Sequence, residues 1–144
     1  MYQGNWEHGQ PHGQGTQWAG GGGGYQGSFA NANKEGEGIE WYASGNVYQG
    51  SFKGHKRAKP GGLFWMASGI ALLVTDFDAR TDQPTGQAVM WDATRSTATT
   101  LMNSVPGREM PLDMAEKFAE HLGRKPPGEP PLQPPKPNLP SSWN

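Results

Sequence analysis

No cysteine occurs among the 144 residues, which excludes disulfides and thiol chemistry and leaves the redox compartment open. Hydrophobic residues make up only 33% of the chain, too few to build a thick core. No apolar run approaches the ~18 residues of a membrane helix, and the start is not basic-then-apolar. Neither a membrane span nor a signal peptide is therefore expected, and the default is an intracellular, soluble protein. Charge of one sign is missing too. A net charge of −1 argues against a nucleic-acid partner, which calls for a clearly basic face.

Chemistry is equally scarce. The chain lacks both a Gly-x-x-x-x-Gly-Lys-Ser/Thr loop and a Gly-x-Gly-x-x-Gly after a strand, so no phosphate cradle is expected. His8 and His12 lie four apart in a turn-rich segment with no evident third ligand. Asp76, Asp78 and Asp82 have neither a base nor an oxyanion donor placed beside them. Catalytic residues, metal ligands, cofactors and a small-molecule substrate are accordingly not expected.

What the chain has is glycine, proline and a repeat. It holds 22 Gly and 13 Pro, a density that argues against long helices. Tyr2-Gln3-Gly4-Asn5-Trp6, Tyr25-Gln26-Gly27-Ser28-Phe29 and Tyr48-Gln49-Gly50-Ser51-Phe52 follow one another at a constant spacing of 23 residues. Further along each copy come Gly15, Gly38 and Gly61, then Trp18, Trp41 and Phe64. A degenerate fourth copy fits after a two-residue insertion, with Leu73 to Phe77 in the first slot, Gly86 in the glycine slot and Val89 in the aromatic one. A fixed period of this size indicates a stacked array of one small unit, which presents long surfaces.

Within a copy, aromatic, glycine and aromatic alternate, so in a strand all three share a face. Glycine leaves bare backbone over which neighbouring rings can lie. Turn residues from Glu7 to Gly13, and again at Ser44-Gly45-Asn46 and Ser68-Gly69, make each unit a β-hairpin. The expectation is an all-β repeat protein over residues 1–91: a single twisted antiparallel sheet of hairpins, held by ring-on-glycine stacking. Its first strand begins at Tyr2 and offers an edge where a partner or a second copy can add.

Residues 92–110, polar and rich in Thr and Ser, read as an irregular connection. Residues 111–123 read as a short amphipathic helix, with Asp113 and Glu116 as a capping box, Met114, Phe118 and Leu122 as its apolar stripe, and Gly123 as its stop. Such a helix caps the open end of the sheet or docks on a partner. Residues 124–144 form a proline-rich extended tail. It can strap against the chain's own sheet or a neighbour, bind an SH3 domain, or remain free.

The Tyr-x-Gly-x-Trp/Phe runs, with Gly9, His12, Gly13 and Gly15 in the first copy and Gly36, Gly38 and Trp41 in the second, resemble the MORN repeat family. The resemblance implies a structural scaffold subunit, not an enzyme, that meets protein partners or a second copy of itself in a larger assembly, a ciliary, axonemal or cytoskeletal one among them. Its candidate partner groove comprises Tyr2, Trp6, Tyr25, Phe29, Tyr48 and Phe52. Pro127, Pro130, Pro131, Pro134, Pro137 and Pro140 are the candidate contacts of the tail. MORN repeats are also linked with membranes and phosphoinositides, so the alternative is a peripheral membrane adaptor acting through Lys53, Lys56, Arg57 and Lys59. Four such charges would each contribute about 1 kcal/mol at an anionic surface.

Overall fold

Tight turns set the architecture. The tyrosine-led runs pair with the glycine-rich runs after them as β1 (Tyr2–Glu7) with β2 (Gln10–Trp18), β3 (Gly24–Ala30) with β4 (Asn33–Trp41), β5 (Val47–Lys53) with β6 (Lys56–Trp65), and β7 (Ala71–Phe77) with β8 (Pro84–Trp91). Two-residue turns with positive φ at both positions close the first three pairs, at His8-Gly9, Asn31-Ala32 and Gly54-His55. That geometry matches the right-handed twist of the flanking strands. The computed structural model describes residues 1–136. It joins all strands into one antiparallel sheet whose spatial order is the order of the chain.

The sheet does not stop at residue 91. Residues 98–110, expected as part of an irregular connection, form a fifth hairpin of β9 (Ala98–Met102) and β10 (Val105–Met110), bringing the sheet to ten strands. Its turn, Asn103-Ser104, repeats the double positive φ. Threonine misled the sequence reading here. It is polar, but its branched Cβ suits a pleated half-buried surface, and Ala98 and Leu101 bury on either side of the two half-buried threonines of β9.

Register corrects the repeat alignment. The glycines pair as Gly4 with Gly15, Gly27 with Gly38 and Gly50 with Gly62. The third partner is therefore Gly62 and not Gly61, because β6 runs one residue longer than β2 and β4. A one-residue shift sends every later side chain to the opposite face. Trp65, not Phe64, thus joins Trp18 and Trp41 on one face. In the fourth copy, Leu72 pairs with Met90, Val74 with Ala88 and Ala71 with Trp91. Leu72, Ala88 and Trp91 hold the places assigned to Leu73, Gly86 and Val89.

The two faces have different cores. On the tryptophan face, Trp41, Val47, Leu63, Trp65, Leu73, Val89 and Trp91 pack beneath α1 (Leu112–His121). On the other face, Tyr25, Phe29, Tyr48 and Phe52 form a separate aromatic core. The helix lies on a face of the sheet and does not close its end. Ala115 and Ala119 are fully buried, Phe118 and Leu122 pack beside them, and Met114 is 54% exposed. Small residues win the contact because they let the helix backbone approach the strands. The capping box does not form: Pro111 is the N-cap, no side chain caps the helix, and Asp113 falls inside the first turn, where its charge meets the helix dipole. The stop is as expected. Gly123 is left-handed, its N–H reaches the Glu120 carbonyl, and the Arg124 N–H reaches Ala119, closing the helix in a Schellman motif.

Candidate interaction surfaces

Each tyrosine of the repeat is satisfied within its own copy. A bulge interrupts pairing between Gly4 and Trp6, Gly27 and Phe29, and Gly50 and Phe52. The hydroxyls of Tyr2, Tyr25 and Tyr48 donate to the carbonyls of Asn5, Ser28 and Ser51 there, at 2.7, 2.8 and 3.0 Å. The rings of Tyr2 and Tyr25 lie directly over Gly15 and Gly38, leaving no room for a Cβ at either glycine. Along the first three copies, each tyrosine meets the aromatic of its own strand edge to face. Tyr25 sits 5.0 Å from Phe29 and 5.1 Å from Phe52, and Tyr48 sits 5.2 Å from Phe52 and 5.6 Å from Phe77. Such pairs contribute about 0.5–1.5 kcal/mol each beyond area burial.

This packing changes the meaning of the candidate groove. Tyr25, Phe29, Tyr48 and Phe52 are at most 4% exposed, so they form a core that closes on itself and not an open partner surface. Each copy's own tyrosine covers the glycine of its paired strand, and the aromatic of the next copy closes over that tyrosine. Of the six residues, Tyr2 is half-buried and Trp6 stands 59% exposed.

The basic loop is likewise consumed from within. Arg57 lies 5.1–5.8 Å from the rings of Phe77, Phe64, Tyr42 and Tyr48, and its guanidinium donates to the Asp82 carboxylate at 3.0 Å. Its side chain is 13% exposed. Lys59 stands 3.6 Å from Asp76, and Lys56 donates to the Ala79 carbonyl at 3.2 Å. Lys53 stays exposed. Asp76 at the end of β7 and Asp82 beyond it thus face two of the four charges of the basic loop, a pairing across hairpins that sequence distance concealed. Lys34 repeats the device on Tyr25, with its ammonium 5.6 Å above the ring and 3.0 Å from Glu40. Burial, with the Lys34 charge second, lowers the pKa of His55.

Further along the aromatic face, the ring column gives way to aliphatic residues. A cavity of about 490 Å³ opens there, bounded by Arg57, Phe64, Leu72, Val74, Met90 and Leu101. Leu72 stands there in the place that tyrosine holds in the first three copies. Among the described residues, no group of three or more His, Cys, Asp or Glu is arranged to hold a metal ion.

The tail lies on the tryptophan face. Indole N–H groups of Trp65, Trp41 and Trp18 donate to the carbonyls of Gly128, Pro131 and Pro134, at 3.0, 2.8 and 3.0 Å. Arg124 anchors the start, donating to the Gly61 carbonyl at 2.8 Å and to Glu37 at 2.8 Å. Arg95 donates to the carbonyls of Pro127 and Gly128. Pro127 is buried, and Pro130, Pro131 and Pro134 are half-buried. The candidate tail contacts Pro137 and Pro140 lie outside the described residues. The sequence reading missed the indole ladder because it had placed Phe64 in the third position; the nearly regular series Trp18, Trp41, Trp65 and Trp91 was the available signal.

Among the described residues, no helix is long and apolar enough to cross a membrane. The sequence profile of the MORN repeat matches residues 2–23 and 25–47, the first two hairpins. A comparison with curated proteins finds no match. The MORN repeat is a non-enzymatic module that meets proteins or membranes. With hairpins in register, rings seated over glycine and two matched repeats, the chain carries MORN repeats over residues 2–23 and 25–47.

Proposed function

We propose that the protein is a non-enzymatic scaffold subunit that holds protein partners in a larger intracellular assembly of the ciliary, axonemal or cytoskeletal kind. The exposure of Trp6 carries this reading. In the second and third copies, the ring at this position receives a tyrosine from the copy before: Tyr2 packs 5.2 Å from Phe29 and Tyr25 packs 5.1 Å from Phe52. Trp6 holds the same place on the edge strand β1, yet stays 59% exposed. A partner strand added along β1 can supply the missing ring and the missing ladder at once. Tryptophan is among the residue types that anchor interfaces most often. The membrane alternative draws less support, because Arg57 is spent on Asp82 and on the rings beneath it.

Affinity purification of the tagged full chain tests the proposal when wild type is compared with Trp6→Ala and with Lys53→Glu/Lys59→Glu. Circular dichroism must show all three folded. The scaffold reading expects stable co-purifying subunits that are lost with Trp6→Ala and kept in the charge-reversed variant. Subunits retained by Trp6→Ala, or vesicle binding that disappears with the lysine changes, would overturn it.

A further inference from the structure

The tail and the tryptophan face fit each other by period. The three bonded carbonyls belong to Gly128, Pro131 and Pro134, one every third residue. Three residues are one turn of polyproline II, about 9.3 Å along its axis. The three indoles belong to alternate strands β2, β4 and β6, and two strand spacings come to about 9.6 Å. The hairpin repeat and the polyproline turn are thus commensurate, and one indole N–H meets one carbonyl per turn. Residues 124–136 lie outside helix and strand, as a polyproline segment must. The remaining contacts also follow the turn: Pro127, Pro130, Pro131, Gln133 and Pro134 are turned towards the sheet, while Glu129, Leu132 and Pro135 are exposed. Gln133 reaches over Gly24, between Trp18 and Trp41, where no Cβ stands in its way.

We propose that Trp18, Trp41 and Trp65 form a polyproline II recognition site, closed in cis by residues 128–134, whose ligand in trans is a proline-rich segment of a partner protein. Backbone carbonyls make the three hydrogen bonds, so the ladder reads conformation and period and does not require this tail's own side chains. Stiff proline-rich segments suit such a site because little conformational entropy remains to be lost. The tether supplies an effective concentration in the millimolar range, which holds the site shut against weak competitors. A second copy's tail is the poorer occupant. Arg124 and Arg95 pin the start of the tail to its own sheet through Gly61, Glu37, Gly69 and Asp92, which leaves little chain to exchange. The site lies on the opposite face from the aromatic core and does not depend on what binds at β1.

The full chain with residues 126–136 replaced by Gly and Ser at unchanged length opens the site, and circular dichroism checks its fold. A synthetic peptide of residues 126–136 is then titrated while the indole N–H resonances and tryptophan fluorescence are followed. The proposal expects saturable binding to the Gly/Ser variant that returns the three indole signals to their wild-type positions. Binding to wild type is weaker by on the order of 100-fold, given the tethered competitor. Trp41→Phe in the open variant, which keeps an aromatic ring and removes the donor, weakens the peptide several-fold. A folded open variant whose indole signals ignore the peptide would overturn the proposal. So would a wild-type dimer that becomes monomeric in the Gly/Ser variant, since the ladder would then be a seam between two copies.

Discussion

At Tyr25 one ring meets Gly38 beneath it, Phe29 and Phe52 at its edges and the Ser28 carbonyl at its hydroxyl. The five-residue repeat motif is explained by those contacts. Tyrosine supplies the ring and the donor, the bulge turns a carbonyl towards that donor, and glycine on the paired strand makes room. The same burial raises the pKa of Tyr25 and Tyr48 well above the ordinary value of 10.0. Above pH 10 the unfolded chain loses protons that the folded chain retains, so stability is full below that pH and is lost as pH rises towards the folded value. Each of these two tyrosines should remove about 1.4 kcal/mol per pH unit in that window. Chemical denaturation at several pH values will check this, with tyrosinate absorbance appearing together with unfolding. Tyrosinate forming in a chain that remains folded would contradict it.

The helix shows the same preference for close approach. Periodicity marked Met114, Phe118 and Leu122, yet Ala115 and Ala119 are the fully buried residues, with Phe118 and Leu122 flanking them. Ala119→Leu should therefore overpack the seam above Trp65 and Trp91 and cost about 1–3 kcal/mol. Met114→Ser, at an exposed position, should stay within about 0.5 kcal/mol. Urea midpoints of the two variants decide the point, and equal midpoints would mean that α1 does not rest on the sheet. The existence of this helix and its Gly123 stop were legible in the sequence. Which face it buries was not, because that depends on how near the strands lie and not on hydrophobicity along the helix.

Across the sheet the strands follow one another without a crossover, so each hairpin pairs only with its neighbours and the sheet's own ladder is a sum of local terms. Those terms are uneven. β5, β6 and β7 carry buried residues from both faces, whereas β1 and β10 hold none. Amide exchange should accordingly be slowest in β5–β7 and fastest in β1 and β10. Uniform protection from β1 to β10 would show that the array opens as one unit. The graded alternative leaves β1 free to accept a new strand at little cost, as the scaffold reading requires.

The amino-acid sequence by itself determined the unit, its hairpin form and its repetition in one sheet, because the tyrosine, glycine and aromatic spacing admits only a ring laid over a paired strand. It also determined that a proline-rich segment follows the helix. The tertiary structure decided the rest. One additional residue in β6 moves Trp65, rather than Phe64, into line with Trp18 and Trp41. Neighbouring copies bury the rings that a single copy leaves open. Asp82 reaches Arg57 and pairs the one arginine of the loop that sequence alone shows as basic. In each case the deciding quantity is a distance between residues far apart in the chain, and no local pattern carries such a distance.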